Sequence, residues 1–448
     1  MECYTISLDT PARRVFVSHA RDPHRPETTR PDNCGYVPSN AAGAAPDKKA
    51  GVVAITLFDL RRRGKVGRVL LADVDGRRIA PARALMAEKI GREYVDMDMT
   101  LETWPKDETA SFDLGAPAAA MDTLLPGDAV IVFTPDPTHF SLASAAMSRG
   151  LHVLVAKPVV KILSEHLALE KLARERSVIA AVEYHKRWDP IYSDARERAR
   201  KLGPFSFFSA MMTQRRVQLD TFASWAGKSS DISYYLNSHH IDILSWMVEG
   251  RARPERVVAA ASSGVADAQL GRPCEDTITL MTTFRNADGS SGHANTTASW
   301  VAPTADCHTQ QGFHYMGHGG EIRADQAHRG YQFSADAAAG GTGALASLNP
   351  LYMRYVPDSR GYFAGQIGYG YKSIEAFVDA AAAVSMGVPL ATAQAGLATV
   401  ETTLKTTAIL EAGRRSLDAG GKAVKIIYAD SSGDVDVDAH PVGFEIIS

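Results

Sequence analysis

Residues 128–158 read DAVIVFTPDPTHFSLASAAMSRGLHVLVAKP, and this stretch decides the fold. It contains an apolar run at 128–134, a turn with two prolines, a helical segment at 138–149 and a second apolar run at 151–155. Short apolar strands on either side of a helix form a βαβ unit, in which the two strands are parallel. The stretch therefore predicts a parallel sheet with helices on its faces.

The same alternation continues on both sides of this stretch. A helix, a strand and a helix are predicted at 50–64, 66–73 and 79–92, and a helix and a strand at 162–175 and 178–182. Because ligands bind at the carboxyl ends of such strands, the side chains that follow each strand are candidate site residues. They are Asp73, residues 134–139, Lys157 and residues 183–187.

The second half of the chain has a different pattern. Runs with a period of two, typical of antiparallel strands, occur at 205–213, 256–265, 276–285 and 292–300. Helices are predicted at 237–249, 373–386 and 393–417. The predicted fold class is α/β, with an N-terminal Rossmann-type parallel sheet and a C-terminal α+β domain built on a large, open, mainly antiparallel sheet.

The predicted domain boundary follows Lys157. A dinucleotide-binding Rossmann-like domain is expected at 1–157, with an irregular segment at 1–49 because 21–49 is rich in proline, arginine, asparagine and alanine. A substrate-binding and oligomerisation domain is expected at 158–448. The helix near 393–417 is expected to pack back on the first domain.

Composition argues against several classes of protein. The 448 residues carry a formal net charge of −3 with both signs interspersed, so neither nucleic acid nor a membrane is expected as a partner. Four scattered cysteines lack metal-ligand spacing, so no metal site is expected, and they suit reduced thiols in the cytosol. No secretory pattern and no transmembrane-length apolar run is found, which predicts a cytoplasmic protein.

Lys157 follows a predicted buried strand, in the segment Ala156-Lys157-Pro158. A lysine at this position points toward the place of a nicotinamide ribose, where partial burial would lower its pKa. It would then hydrogen-bond both the cofactor and a substrate oxygen. The alternative is a solvated lysine at the end of a strand.

The segment 237–246 places His239, Asp242 and Trp246 on one helical face, whereas His240 faces elsewhere. A histidine in the first helical turn can act as a general acid or base because its pKa lies near the working pH. Asp242 would orient His239 for this role. A histidine that only caps or packs is equally compatible with the pattern.

The turn after the strand at 128–134 leaves backbone amides open toward a cofactor, with Thr138 as the helix N-cap and His139 in the first turn. The Gly-x-Gly-x-x-Gly loop of dinucleotide-binding domains is missing, because the first glycine after residues 15–17 is Gly35. The phosphate-binding loop is therefore unusual or absent.

Taken in order, these motifs resemble the Gfo/Idh/MocA family, the glucose–fructose oxidoreductase and inositol dehydrogenase group. The family's Glu-Lys-Pro motif is similar to residues 156–158, with alanine in place of glutamate, and its Thr-Pro-x-x-x-His turn is similar to 134–139. Its Arg-Phe-Asp-Pro segment is similar to 187–190, and its catalytic histidine corresponds to His239. The resemblance covers roughly residues 50–425.

Longer runs, such as HKRWDPIYSDAR at 185–196 and GYGYKSIEAFVDAA at 368–381, resemble the D-galacturonate reductase branch of that family. This resemblance implies reduction of the aldehyde of D-galacturonate to L-galactonate with NADH or NADPH. Two departures stand out. The branch's glycine-rich start is reduced here to Gly35-Tyr36-Val37, and Tyr235 replaces an aspartate that the family often has four residues before its histidine.

The resemblance and the strand-end positions together define the candidate residues. In the expected reaction His239 protonates the nascent alkoxide, and Lys157 polarises the same oxygen while holding the nicotinamide ribose. The cofactor-binding candidates are Gly35, Tyr36, Asp73, Phe133, Thr134, Pro135, His139, Ala156 and Lys157. The substrate-binding candidates are Lys186, Arg187, Tyr235, Asn237 and His240.

Several alternatives stay open. Asp73 favours NAD by binding a ribose hydroxyl, whereas Arg77 and Arg78 suit the 2′-phosphate of NADP. The alternatives to uronic acid reduction are a dehydrogenase of another sugar or polyol and a non-catalytic dinucleotide-binding sensor of the same fold. The family resemblance also implies a homodimer or homotetramer formed through the open sheet face.

Overall fold

The computed structural model describes residues 2–9, 12–19, 51–303, 310–326, 331–335, 344–429 and 435–447, with the strands at 2–9, 12–19, 331–335 and 344–348 described by their backbone. The chain forms two compact units, each described by itself. Unit 1 comprises Met1–Val159, Ala168–His185 and Pro350–Val400. Unit 2 comprises Val160–Leu167, Lys186–Asn349 and Glu401–Ser448.

The elements are numbered in chain order. The strands are β1 Glu2–Asp9, β2 Ala12–His19, β3 Val69–Asp73, β4 Glu102–Trp104, β5 Ala129–Phe133, β6 His152–Val155, β7 Ala180–Val182, β8 Phe205–Arg215, β9 Ala252–Ser262, β10 Thr277–Asn286, β11 Ser291–Ala302, β12 Gln311–Gly317, β13 Gly320–Asp325, β14 Tyr331–Ala335, β15 Ala344–Leu348, β16 Val424–Tyr428 and β17 Pro441–Ile446. The α-helices are α1 Val52–Arg62, α2 Ile79–Met86, α3 Ala116–Met121, α4 His139–Ser148, α5 Leu163–Arg176, α6 Pro190–Ala199, α7 Leu219–Phe222, α8 Ser238–Met247, α9 Val265–Leu270, α10 Tyr369–Ser385, α11 Leu390–Ala393 and α12 Leu404–Asp418.

Unit 1 is built on a seven-stranded sheet in the order β4-β3-β1-β2-β5-β6-β7. All of its strands except β1 run in the same direction. β3 and β6 are buried along their whole length, which is why each contains a run of consecutive apolar residues, 69–72 and 153–155, rather than an alternating pattern. The prediction of a Rossmann-type parallel sheet is confirmed.

The hairpin of β1 and β2 corrects the expectation of an irregular segment at 1–49. The two strands are antiparallel, with Tyr4 opposite Val17 and Ile6 opposite Val15. Both strands contain β-branched and aromatic residue types, which favour extended chain. The loop-like composition behind the expectation belongs to 21–49, and residues 20–50 lie outside the described part of the chain.

Unit 2 is built on an eight-stranded sheet in the order β13-β12-β8-β11-β10-β9-β16-β17. Its strand pairs are antiparallel except for β8 and β11, which are parallel. The prediction of a mainly antiparallel sheet is confirmed, whereas the antiparallel pattern predicted for the runs at 205–213 and 292–300 does not hold between these two strands. The reason is topological, because β9, β10 and β11 form a meander whose last strand lies beside β8.

One face of the unit 2 sheet is covered by helices. α12 packs on β9 and on α8. It also lies close to β10, because Gly413 has no side chain, and a Cβ there would stand only 2.6 Å from Cδ2 of Leu280. This helix therefore belongs to unit 2. That a helix near 393–417 packs back on the first domain stays a prediction. Unit 1 instead contains Pro350–Val400, which includes α10 and α11.

The other face of this sheet carries exposed apolar side chains. Met211, Met281 and Met316 are 48%, 45% and 38% exposed. The pairing across β12, β8, β11 and β10 places all three on the same face, because side chains alternate along a strand. We call this surface the open methionine face.

The described helices are all too short or too polar to cross a membrane. Within the same described residues, histidine, cysteine, aspartate and glutamate side chains form no group of three or more that could hold a metal ion. Cys274 is buried, and burial raises the pKa of its thiol to about 12, so this cysteine is a poor nucleophile.

Candidate functional site

The carboxyl end of β5 is tied to the segment after β6 by a buried histidine. Nε2 of His139 lies 2.8 Å from the carbonyl oxygen of Thr134, and Nδ1 lies 2.9 Å from that of Pro158 and 3.1 Å from that of Val159. The Thr138 hydroxyl donates to Oγ1 of Thr134 at 2.6 Å. Because both ring nitrogens of His139 face backbone carbonyls, the geometry favours a role in positioning these loops over direct contact with a cofactor.

Lys157 follows β6 directly and is partly buried. Burial lowers the pKa of its ammonium group to about 8, and the carboxylates of Asp136 and Glu183 oppose that shift. A lysine with a pKa near neutrality can both donate a hydrogen bond and exchange a proton under ordinary conditions. This is the environment that the sequence pattern predicted for an active-site lysine.

Asp73 is the last residue of β3 and is buried. Burial raises the pKa of its carboxyl group to about 7, against the opposing charge of Arg78, whose guanidinium nitrogen lies 3.8 Å away. Asp73 also accepts a hydrogen bond from the backbone of Asp75. Arg77 makes a two-pronged contact with Asp75 at 2.8 and 3.0 Å, so the two arginines expected near a 2′-phosphate have different environments.

The carboxyl end of β7 carries a polar cluster around Glu183, within the predicted candidate segment 183–187. Glu183 is buried, and its carboxylate accepts a hydrogen bond from the Ser373 hydroxyl at 2.8 Å. Nδ1 of His185 lies 2.8 Å from the other carboxylate oxygen. The His185 ring stacks on Tyr369, with 5.6 Å between ring centroids. The residues after this strand were expected to be site candidates, but the glutamate itself was not singled out.

In unit 2, a π-helical turn at Ser233–Asn237 leads into α8 and His239. Such turns are frequent at functional sites. Asn237 is buried and donates to Ser233 Oγ at 3.0 Å and to the Ile278 carbonyl at 3.3 Å, which favours a packing role at the helix start. His239 is also buried.

Tyr235 belongs to an aromatic cluster that sequence analysis did not identify. Its ring centroid lies 5.0 Å from that of Phe222 and 5.3 Å from that of Trp225, which in turn lies 5.7 Å from Trp300. Burial raises the pKa of the Tyr235 phenol to about 12. Phe222, Trp225 and Tyr235 lie close together in sequence, whereas Trp300 comes from a distant strand, β11.

Lys186 and His240 lie in one buried cluster of unit 2. The Lys186 ammonium donates to Gln311 at 2.7 Å and lies 5.4 Å from the centre of the Tyr192 ring, and the Tyr192 hydroxyl lies 3.0 Å from Nε2 of His240. Burial, with the nearby charge of Lys186, lowers the pKa of His240 to about 3, so this imidazole is neutral. A neutral, buried His240 is suited to hold Tyr192 in place.

Arg187 forms a buried ion pair with Asp242. The guanidinium Nε and Nη2 donate to the two carboxylate oxygens at 2.8 and 2.7 Å, and the Trp246 ring lies 5.4 Å away. Burial raises the pKa of Asp242, and the charge of Arg187 opposes this. The guanidinium of Arg187 already donates two hydrogen bonds to Asp242 in α8. Arg187 is therefore better suited to holding α8 in place than to binding a substrate carboxylate.

The predicted site residues thus divide between the two units. Unit 1 holds Asp73, Phe133, Thr134, Pro135, His139, Ala156 and Lys157, all at the carboxyl ends of β3, β5 and β6 or in the first turn of the following helix. Unit 2 holds Lys186, Arg187, Tyr235, Asn237, His239 and His240. Gly35 and Tyr36 lie outside the described residues.

Comparison with known proteins adds an independent line of observation. Residues 98–184 match the GFO_IDH_MocA model, described as an oxidoreductase family with an NAD-binding Rossmann fold. The chain is 33% identical over 107 residues to scyllo-inositol 2-dehydrogenase (NAD(+)) of Bacillus subtilis, covering 24% of this chain and 28% of that protein. It is 32% identical over 142 residues to UDP-N-acetylglucosamine 3-dehydrogenase of Acidithiobacillus ferrooxidans, covering 31% and 41%.

These matches span less than half the length of either curated relative. A wider likeness is seen in the fold. The structure of GenD2 from gentamicin A biosynthesis, in complex with NAD, aligns with a TM-score of 0.59 and 21% identity, over 84% of this chain and 93% of that chain. Residues 98–184 are thus similar to the GFO_IDH_MocA oxidoreductase family, and the fold of the chain is similar to that of GenD2.

Proposed function

We propose that this protein is an NAD(P)-dependent oxidoreductase that interconverts a carbonyl and an alcohol on a sugar, a polyol or a sugar acid. The observation that carries the proposal is Lys157, a partly buried ammonium at the end of β6 with a pKa of about 8 and carboxylates nearby. The non-catalytic sensor is disfavoured because dinucleotide binding alone needs no group tuned in this way.

The residues at the strand ends of unit 1 fit a nicotinamide dinucleotide. The buried carboxyl group of Asp73 is suited to accept a hydrogen bond from a hydroxyl group of one ribose. The ammonium of Lys157 is suited to donate a hydrogen bond to the other ribose. When bound, the nicotinamide supplies or accepts the hydride. The residues that would hold the phosphates include 20–50, which lie outside the described part of the chain.

In the proposed reduction, the chain's own residues manage the charge on the substrate oxygen. Lys157 polarises the carbonyl, and its charge stabilises the alkoxide that forms. His239 supplies the proton to that oxygen as a general acid. The assignment of His239 is supported by its motif and by its place directly after a π-helical turn. Burial of Lys157 both restricts the position of its side chain and lowers the pKa of its ammonium group.

For the substrate, D-galacturonate remains the first candidate because of the long sequence runs that resemble D-galacturonate reductases. One observation favours a neutral sugar or polyol instead. Arg187 is paired with Asp242, and Lys186 donates to glutamine oxygens inside unit 2, so both cations assigned to a substrate carboxylate are already engaged. The matched relatives are named as dehydrogenases of scyllo-inositol and of UDP-N-acetylglucosamine.

A substrate panel separates these candidates. Purified protein would be assayed with NADH or NADPH and D-galacturonate, and with NAD⁺ or NADP⁺ and scyllo-inositol, myo-inositol or UDP-N-acetylglucosamine. A kcat/KM at least about tenfold higher for one class assigns the substrate class. Turnover of D-galacturonate alone supports the uronic acid proposal, and turnover of the neutral substrates alone contradicts it.

The choice between NADH and NADPH is expected to depend on pH through Asp73. Burial raises the pKa of this carboxyl group to about 7, so it is mostly protonated at pH 6 and mostly ionised at pH 8. An ionised carboxylate accepts a hydrogen bond from the ribose hydroxyl of NADH, and its negative charge repels the 2′-phosphate of NADPH. The ratio Kd(NADPH)/Kd(NADH) should therefore rise roughly tenfold between pH 6 and 8.

Nicotinamide fluorescence titrations at the two pH values measure this ratio. The Asp73→Asn variant serves as the control, because it keeps the shape of the side chain but cannot ionise. Its ratio should change only through titration of the 2′-phosphate itself. A wild-type ratio that changes no more than the variant's ratio would show that Asp73 does not discriminate between the cofactors.

We further propose that the protein is a homodimer or homotetramer formed through the open methionine face of unit 2. Exposed Met211, Met281 and Met316 share that face, and exposed methionines are frequent at protein contacts. Light scattering after size exclusion should give a multiple of the 48.2 kDa chain mass. Met281→Lys should shift the protein to the monomer, whereas Met386→Lys, at a 71%-exposed methionine in unit 1, should not. A wild-type monomer would contradict the proposal.

A further inference from the structure

Glu183 lies level with Ala156 on the strand next to it. Val155 of β6 pairs with Val182 of β7, and the backbone amide of Glu183 donates to the Val155 carbonyl at 2.7 Å. The backbone amide of Ala156 continues the adjoining ladder by donating to the Val132 carbonyl at 2.8 Å. The pairing therefore places Glu183 beside Ala156, one residue before Lys157, at the carboxyl edge of the sheet.

The carboxylate of Glu183 is held firmly in unit 1. Glu183 is 6% exposed, and its two oxygens contact the Ser373 hydroxyl and the His185 ring, each at 2.8 Å. A buried carboxylate is costly unless hydrogen bonds or an opposite charge compensate it. The hydroxyl and the imidazole provide the hydrogen bonds. The ammonium of Lys157 provides an opposite charge within electrostatic range.

The charged form of Lys157 also needs an opposite charge to compensate its burial. Partial burial disfavours its charged form, and its own strand offers no compensating charge because residue 156 is alanine. The carboxylates whose charges act on it are Asp136, in the turn after β5, and Glu183, at the end of β7. Glu183 is deeply buried and fixed by hydrogen bonds, so its charge is poorly screened by solvent.

We propose that Glu183 is a positioning residue for Lys157, whose buried carboxylate on the neighbouring strand keeps the lysine ammonium protonated for its part in the reaction. The role in turnover rests on the proposed oxidoreductase function. The electrostatic coupling of the two residues does not, and it can be measured on the protein without any cofactor.

Competitive labelling with acetic anhydride measures the coupling directly, because only the deprotonated amine reacts. The fraction of Lys157 acetylated, read from peptide masses at a series of pH values, yields the midpoint of its titration. Glu183→Gln keeps the size of the side chain and its acceptor for Ser373 but removes the charge. The midpoint should fall by about one pH unit, because loss of an opposite charge disfavours the ammonium.

Three further variants distinguish charge from structure. Ser373→Ala removes a hydrogen bond to Glu183 but no charge, and should leave the Lys157 midpoint within about 0.3 pH unit of wild type. Glu183→Asp keeps the charge and should keep most of the shift, which also guards against misfolding of the glutamine variant. Ala156→Glu combined with Glu183→Gln returns a carboxylate to the adjacent position and should restore more than half of the lost shift.

The pH profile of kcat/KM provides the second readout. In Glu183→Gln, the limb that reports deprotonation of Lys157 should move to lower pH by the same amount as the labelling midpoint. An unchanged labelling midpoint in the folded Glu183→Gln protein would overturn the inference, even with normal turnover. A lower labelling midpoint in Glu183→Gln, together with wild-type protein that turns over no substrate with either cofactor, would instead overturn the proposed function. The electrostatic coupling of Glu183 and Lys157 would then still stand.

Discussion

Lys157→Met is expected to lower kcat/KM by about 10³-fold, within the range that a positioned acid–base group contributes. Methionine keeps the length and the apolar part of the side chain at the end of β6, so the packing of the partly buried stem is largely retained. What is lost is the ammonium that polarises the carbonyl and stabilises the alkoxide. Steady-state oxidation of NADH at several substrate concentrations measures the effect.

The variant is informative because the charge and the fold can be separated. Thermal unfolding should be within a few degrees of wild type, since a charge that is disfavoured by burial is replaced by an apolar group. Lys161→Met, four residues further along, is the matched control and should keep most of the activity. Activity of Lys157→Met within about threefold of wild type would rule out a catalytic role for this residue.

Arg187→Met is expected to destabilise the protein by about 3–5 kcal/mol, the largest effect on stability that the structure suggests. The side chains of Arg187 and Asp242 are 4% and 1% exposed, and two parallel hydrogen bonds join them. Removing the guanidinium leaves the Asp242 carboxylate buried without its charge partner. The midpoint of thermal unfolding should fall by roughly 10 °C.

Two comparisons locate this effect in the ion pair. Arg198→Met breaks a pair with Asp194 whose side chains are 70% and 62% exposed, and should leave the midpoint of thermal unfolding nearly unchanged. The double variant Arg187→Met/Asp242→Leu removes both buried charges and should recover most of the lost stability. If the double variant is no more stable than Arg187→Met, the loss comes from packing on Trp246 rather than from an unpaired carboxylate.

The alternation of strands and helices in unit 1 was predictable because its signal is local. Apolar runs of strand length and helical segments follow one another at 128–155, and the structure places β5, α4 and β6 there with boundaries that differ by at most one residue. The strand-end position of Lys157 followed from the same pattern. So did that of Asp73, because both directly follow short apolar runs.

What sequence could not predict depends on pairing between distant segments. β8 and β11 lie side by side in parallel although their register partners, such as Phe207 and His293, are 86 positions apart in the sequence. Their individual alternation is the same for parallel and antiparallel neighbours, so the pattern carries no information about direction. The hairpin of β1 and β2 was not predicted for another reason. The loop-like composition of 21–49 led to the prediction of an irregular segment over the whole of 1–49.

The candidate site shows the same limit. Motif position identified Arg187 and His139, but their roles depend on partners that lie far along the chain, Asp242 for the former and the carbonyl of Pro158 for the latter. A charged residue in a motif is equally compatible with binding a substrate and with holding a helix. Glu183 became visible as a partner of Lys157 only when the strand register was known.

The central claim is that Lys157 and His239 serve hydride transfer between a nicotinamide and a sugar-type substrate. The most direct test is oxidation of NADH and NADPH by purified wild-type protein with D-galacturonate, and reduction of NAD⁺ and NADP⁺ with inositols, beside Lys157→Met and His239→Ala. The account predicts wild-type turnover with at least one substrate and a loss of about 10²–10⁴-fold in each variant. Turnover that survives in both variants would contradict the assigned chemistry, and neither turnover nor dinucleotide binding in the wild type would contradict the proposed function.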